Sequence, residues 1–351
     1  MIKLLSLFKD VILEGGNVFT SKNSDKDTDK DYTTADIEQA NIAKTVEEFA
    51  KSMSEIFPDK AQSFKELTDD KNWLGSTGRK QVARNEKGEV VDSEEGKITS
   101  GDIDLAYSSN NFFSGDNVDW EGWGFSEEEY LGMYNAVKGR AKTATEEQMR
   151  VTALLRLIIQ KIEKRTDIDL KVAGKSTSSG ALHFSFPQYN QAGEKLSTRA
   201  QIDLDVGDLE WLTFRNNANI TIEQEKEGIK RLHRGQLMLA LFATAGFTFK
   251  AGIGLVDTAT KKKRLGSTPA EAIEAFNKEY EPKQPLTREI LDNYDQLVAY
   301  VKNNLKTKEH YDTTMSKYLR ELNRASAYIP KHVQDWIEQQ AKEQQAKEQQ
   351  A

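Results

Sequence analysis

The sequence predicts an α+β chain in which helices and strands alternate through about residue 215 and helices alone follow. Three observations carry that reading. Short runs such as Asp102–Tyr107 and Ala200–Val206 alternate polar and apolar residues with the period of two of a half-buried strand. Longer runs, Ala35–Phe57 and Glu146–Arg165, repeat apolar residues at the three-and-four spacing of an amphipathic helix. From Thr221 onward only the helical spacing recurs.

Taken in order, the opening MIKLLSLFKDVIL puts Leu4, Leu5, Phe8, Val11 and Ile12 at helical spacing, a short amphipathic helix packed on the body. Lys9 and Asp10 interrupt the apolar run that a signal peptide needs. EGGNVF follows, then the polar stretch Ser21–Asp31, which reads as a linker. Asp25, Asp27 and Asp29 imitate the start of a calcium loop, but Lys30 stands where the turn of an EF-hand needs glycine. The helix at Ala35–Phe57 has Ile37, Ile42, Val46, Phe49, Met53 and Ile56 as its stripe. Lys71–Leu74 is a short strand, Gln81–Ser100 an exposed hairpin or loop, and Asp102–Tyr107 a strand. The helix at Glu146–Arg165 gathers Val151, Leu154, Leu155, Ile158, Ile159 and Ile162 on one face. Strands are expected at Ile168–Val172, Ala181–Phe186 and Ala200–Val206. Helices are expected at Thr221–Ala245, Pro269–Tyr280, Thr287–Leu305 and Tyr311–Ala327, with a last one from Lys331 into the repetitive, frayed AKEQQ tail. The organisation is therefore an N-terminal helix and linker (1–32), an α/β domain (33–215), a helical domain (216–335) and a low-complexity tail (336–351).

Composition narrows the chemistry. An apolar share of 37% with 9% aromatics supports a real core, and 30% charged residues cover a soluble surface. The chain has no cysteine, which excludes disulfides, thiolate metal sites and cysteine nucleophiles. Its four histidines, His183, His233, His310 and His332, are not spaced as metal ligands. A bound metal must then be held by oxygen, which favours Mg²⁺, Mn²⁺ or Ca²⁺. The net charge of −7 argues against a generally basic nucleic-acid coat and leaves room for a local basic groove. No run approaches the ~18 apolar residues of a membrane span, so no membrane partner and a cytoplasmic location are expected.

Two strings occur twice. In the second LGST, Thr268 is followed by Pro269 and Glu271, an N-cap, a first-turn proline and a capping-box acid. That copy reads as structural. The first LGST, Leu74–Thr77, ends a strand and leads into Gly78, Arg79 and Lys80. Such a Gly-Ser turn offers backbone N–H groups and a hydroxyl, a geometry that suits phosphate oxygens. The second DIDL, with Asp167 and Asp169, starts a strand after a helix and reads as a charged sheet edge. In the first DIDL, Asp102 and Asp104 share one strand face roughly 6.5–7 Å apart, with Ile103 and Leu105 on the other. QIDLDV repeats the pattern with Asp203 and Asp205. Should the two strands be neighbours, three or four carboxylates crowd one patch and call for divalent cations. A polar strand face meeting water is the alternative on alternation alone.

Gly75-Ser76, then Gly101-Asp102-Ile103-Asp104, then Gln201-Ile202-Asp203 resembles the signature of the DNA polymerase β-type nucleotidyltransferase superfamily. The resemblance covers roughly Ala35–Arg215. LGSTGRK, SGDIDLA and ILEGGNVF look like its bacteriophage-encoded members, with Gln81–Ser100 a wider gap than usual between turn and acids. It implies a mixed-sheet core flanked by helices and followed by a helical domain. It also implies Mg²⁺ or Mn²⁺ held by the catalytic acids Asp102, Asp104 and Asp203, with Asp205 beside them. Gly75 and Ser76 would cradle the β- and γ-phosphates of a nucleoside triphosphate. A basic residue on the helix after the third acid often meets the triphosphate in this superfamily, which nominates Lys230, Arg231 and Arg234. A solvated face paired with Glu227 explains Lys230 and Arg231 equally well. The basic cluster TKKKR, Thr260–Arg264, could touch RNA phosphates, and Trp211 or Phe214 a base, although a solvated loop and a core contact are the simpler readings.

The expected activity is transfer of a nucleoside monophosphate to a hydroxyl, with an RNA 3′ end favoured because the helical half resembles accessory domains of tailing enzymes. The alternatives are a cyclic or oligonucleotide synthase, a protein-modifying nucleotidyltransferase, and a non-catalytic phage interaction module. For a phage-encoded chain the location is the host cytoplasm.

Overall fold

The computed structural model describes residues 18–19, 32–75, 77, 98–114, 117–139, 146–173, 181–216, 220–250, 254–260, 264–266 and 268–348. The chain divides into two units, Met1–Thr213 and Phe214–Ala351. The amphipathic helix expected at the start, the calcium-loop imitation and most of the Gln81–Ser100 stretch lie outside the described residues.

In the first unit β1 (Ile37–Glu38) leads into α1 (Gln39–Ile56). Ile42, Val46, Phe49, Met53 and Ile56 are its buried stripe, and Pro58 follows its end, where the preceding residue disfavours helix. After the short α2 (Ala61–Lys65), the strand expected at Lys71–Leu74 is reduced to a 3₁₀ turn, Asp70–Asn72, and one bridge from Trp73 to Leu105. β2 (Thr99–Ser100) pairs with β1, and β3 (Ile103–Ser108) enters the main sheet. A small hairpin, β4 (Phe113–Ser114) and β5 (Asn117–Val118), precedes α3 (Glu127–Lys138) and α4 (Glu146–Glu163). β6 (Lys171–Ala173), β7 (Ala181–Tyr189), β8 (Lys195–Gly207) and α5 (Leu209–Asn216) follow.

Among the described residues these strands form a four-stranded mixed sheet ordered β3-β8-β7-β6. β3 and β8 run parallel, and the other pairs are antiparallel. Alternation sorts the two faces. Ile103, Leu105, Leu182, Phe184, Ile202 and Leu204 join α1 and α4 in one core. Phe49 meets Phe184 and Phe186 edge-on at centroid distances of 5.0 and 5.6 Å, contacts worth about 0.5–1.5 kcal/mol each beyond the area buried. Up to the irregularity after Pro187, the odd-numbered residues of β7 and their odd-numbered partners on β8, Arg199 to Asp205, lie on the opposite face with Asp104 and Ala106 of β3.

The second unit begins with α6 (Ile222–Lys226), capped by a reciprocal Thr221–Gln224 box. Gly228, at φ +89°, separates it from α7 (Arg231–Thr244), so the helix expected at Thr221–Ala245 is two helices. The expectation of helices alone is also corrected. β9 (Phe247–Lys250), β10 (Gly254–Asp257) and β11 (Arg264–Gly266) form a three-stranded antiparallel sheet. Runs of three or four residues are too short for alternation to register, and their stability comes from pairing and from α7 and α8 (Pro269–Tyr280) packed on them. α9 (Arg288–Asp292) and α10 (Tyr294–Asn304) are divided at Asn293, whose side chain caps α10 by accepting the Gln296 N–H at 3.0 Å. α11 (Lys308–Arg324) and α12 (Lys331–Glu348) complete the unit. The tail expected to fray continues α12 and is docked at least to Glu343, which Lys308 meets at 2.7 Å.

Candidate metal centre

The parallel register of β3 and β8 builds the centre. Ile103 pairs with Ile202 and Asp104 with Asp203, so two acids stand side by side on neighbouring strands. Asp102 precedes Asp104 by two and joins the same patch. Oxygens of Asp102, Asp104 and Asp203 lie within 4.8 Å of one another; Asp203 is buried and the other two are half-buried. Oxygens opposite each other around an octahedral Mg²⁺ stand about 4.2 Å apart. The donor set, three carboxylates at that spacing and no sulfur, is of the kind that suits a hard divalent cation.

Two residues that the sequence did not nominate hold Asp203. His183 lies directly opposite it on β7, and its Nδ1 meets Asp203 Oδ1 at 2.7 Å. Gln201, two residues earlier on β8, donates Nε2–H to Asp203 Oδ2 at 3.1 Å. Burial pushes the His183 imidazole down, but the hydrogen bond to Asp203 and the charges of Asp203, Asp205 and Asp102 outweigh it and hold it above its ordinary value. The alternation of ALHFSF puts His183 on the polar face. Its partner depends on strand register, which no local pattern carries.

The first LGST is clamped on the outer edge of β3. Gly75 sits at φ +56°, a left-handed conformation that suits glycine. The Leu74 N–H donates to the Asp104 carbonyl at 2.9 Å, and the Thr77 N–H closes the turn on the Leu74 carbonyl at 3.0 Å. The Asp104 N–H donates to Thr77 Oγ at 2.7 Å. Thr77, 2% exposed, is thus the anchor of the turn. Ser76 lies outside the described residues. Despite the long stretch between them in the chain, turn and acid strand are in direct contact.

The basic candidates fare differently. Arg234 is a correction: it is 0% exposed and cannot face a triphosphate. Its Nε donates to the Leu291 carbonyl at 2.5 Å and its Nη1 to the carbonyls of Phe214 and Arg215 at 2.7 and 3.3 Å. Its Nη2 meets Asp292 at 3.1 Å. Burial lowers its pKa to about 10. Lys230, exposed, and Arg231, half-buried, open α7 in the second unit. Trp211 and Phe214 are buried in core contacts, which leaves neither free to stack a base. Of the cluster Thr260–Arg264, Lys261–Lys263 lie outside the described residues, while Arg264 opens β11.

The second copies are structural. Thr268 Oγ accepts the Glu271 N–H at 3.3 Å, and the Glu271 carboxylate accepts the Thr268 N–H at 3.1 Å, with Pro269 at the start of α8. Asp167 pairs with Arg165 at 2.8 Å, which holds it down at about 2. Asp169 pairs with Lys195 at 2.6 Å and Arg199 at 2.9 Å.

A cavity of about 130 Å³ in the second unit, lined by Leu237, Val301, Met315 and Trp336 among others, falls below the ~300 Å³ of ordinary small-molecule sites. No helix among the described residues is long and apolar enough to cross a membrane. The chain matches no family model, no curated protein and no solved structure.

Proposed function

We propose that the protein is a Mg²⁺-dependent nucleotidyltransferase that moves a nucleoside monophosphate from a nucleoside triphosphate to a hydroxyl, foremost the 3′ end of an RNA in the cytoplasm. One observation carries the reading: Asp102, Asp104 and Asp203 converge on one sheet face with the Gly75 turn bonded to the same edge. The resemblance read from the sequence assigns those acids and that turn their roles.

The acceptor oxygen attacks the α-phosphorus, the bond from that phosphorus to the β-bridging oxygen breaks, and pyrophosphate leaves. Divalent cations, when bound, would offset the phosphate charge and ease deprotonation of the acceptor hydroxyl. The chain's own part is positioning. Asp102 and Asp104 offer carboxylates from one strand, and Asp203 offers a third whose orientation His183 and Gln201 hold. The turn at Gly75, anchored through Thr77, presents main chain for the terminal phosphates.

The test is a label-transfer assay with Mg²⁺ and each α-labelled nucleoside triphosphate, with and without RNA, on the protein and on an Asp102→Ala/Asp104→Ala variant. Label entering RNA only with intact aspartates supports the reading. The net charge of −7 favours a second one, a cyclic or oligonucleotide synthase that needs no basic groove. Label in a small product without RNA selects it, and label on protein selects a protein-modifying enzyme. No transfer and no Mg²⁺-dependent nucleotide binding leaves a non-catalytic interaction module.

A further inference from the structure

The carboxylate of Asp203 is engaged on both oxygens, and one of those partners is itself governed from far away in the chain. Gln201 is 1% exposed and shares the acid-bearing face of β8 with Asp203. An amide can offer either end to a carboxylate's surroundings. Here the Val18 main-chain N–H, 183 positions earlier, points at Gln201 Oε1 at 2.7 Å. An N–H only donates, so the amide oxygen must turn to it, and Nε2 is thereby committed to Asp203 Oδ2.

Val18 is not an isolated contact. The Thr34 N–H donates to the Phe19 carbonyl at 3.2 Å, and Phe19 is buried. Ser185 Oγ donates to the Tyr32 carbonyl at 2.8 Å, and the Arg199 guanidinium stands 5.0 Å from the centroid of the Tyr32 ring. Ser185 and Arg199 lie on the same sheet face as His183, Gln201 and Asp203. The described chain ahead of α1 therefore rests on the acid-bearing face, with its main chain aimed at the one glutamine that touches the buried acid.

We infer that Gln201 is a positioning residue for Asp203, and that the Val18 main chain completes the candidate metal centre by fixing the direction of that amide. The inference rests on the proposal that the three acids hold a divalent cation. Partners of ligating carboxylates orient them, and their loss typically weakens metal binding on the order of 10–100-fold.

The experiment follows Mn²⁺ binding to the full-length protein by electron paramagnetic resonance, without nucleotide, alongside metal-free melting curves. Asp203→Asn should abolish binding. Gln201→Met, of equal length but without the amide, and Val18→Pro, which deletes the N–H, should each weaken it on the order of tenfold or more. Thr268→Ala, which removes a helix cap in the second unit and touches nothing on this face, should bind Mn²⁺ as the wild type does. Because Val18→Pro leaves Gln201 in place, it answers the question even where Gln201→Met fails to fold. Wild-type affinity in Gln201→Met and Val18→Pro, with binding lost in Asp203→Asn, overturns the inference and leaves the metal centre standing. A wild-type chain that binds no Mn²⁺ overturns both.

Discussion

Replacing Arg234 by methionine should unfold the second unit far more readily and should do so without any selective effect on nucleotide binding. The guanidinium is 0% exposed and donates to three main-chain carbonyls and to Asp292, while stacking 4.9 Å from the centroid of the Phe214 ring. Methionine fills most of the volume and leaves those buried carbonyls without donors, each at about 1–3 kcal/mol. Asp292 is cushioned, because Arg288 also holds it at 2.7 Å and it is partly exposed. The carbonyls do not lose this independently, and the net cost should lie at about 3–5 kcal/mol, the range seen when one partner of a buried charged network is removed. For a domain of this size each kcal/mol moves the midpoint by roughly 3–5 °C, so the melting temperature of this unit should fall by about 10–20 °C. Scanning calorimetry reads the loss, and a nucleotide titration below the transition reads the alternative. A variant that melts like the wild type but binds nucleoside triphosphate weakly would refute the reasoning and restore Arg234 as a phosphate contact.

Three further outcomes follow from the same contacts. Burial pushes His332 down to about 4, below the ~6.5 of an unfolded histidine, so the unfolded state binds the extra proton between those values and stability is lost as pH falls from about 6.5 towards 4. His332 Nε2 has no hydrogen-bond partner among the described residues. In urea unfolding at pH 7 and pH 4.5, His332→Phe should therefore remove about 2–3 kcal/mol of the acid loss, and an unchanged pH dependence counts against the argument. Thr77→Val deprives the Asp104 N–H of its acceptor and should cost about 1–2 kcal/mol in denaturant unfolding while lowering the proposed transfer activity further, through a loosened turn. Thr268→Ala should cost about 1 kcal/mol by loss of a helix cap and leave the proposed transfer activity intact; a loss of that activity would assign the second LGST a role at the site.

Much of the site was legible because its signals are local. Period two put Asp102 and Asp104 on one strand face and Asp203 and Asp205 on another, whatever else the chain does. The second LGST was recognisable as a cap because threonine, proline and glutamate at fixed offsets satisfy a helix's first N–H groups among themselves. The stripes of α1 and α4 fell close to their observed bounds for the same reason: burial of one helical face requires that spacing.

What only the tertiary structure decided depends on register and enclosure. The alternation of QIDLD is compatible with any neighbour, and it is the pairing of Asp104 with Asp203 and of Asp203 with His183 that makes a cluster. Gln201 looks like an ordinary polar strand residue until Val18 is found against its amide oxygen. Arg234 shows the converse. An arginine near the start of a helix reads as surface, because nothing in its neighbours reveals that Leu291, Phe214 and Arg215 will supply the carbonyls that let a charge be buried. The strands β9 to β11 were missed because so few residues leave no period to detect; their stability is created by partners distant in sequence. By itself the sequence determined which residues share a face and where helices begin. Which faces meet was decided by long-range packing, since register and burial are properties of pairs of segments and not of either one.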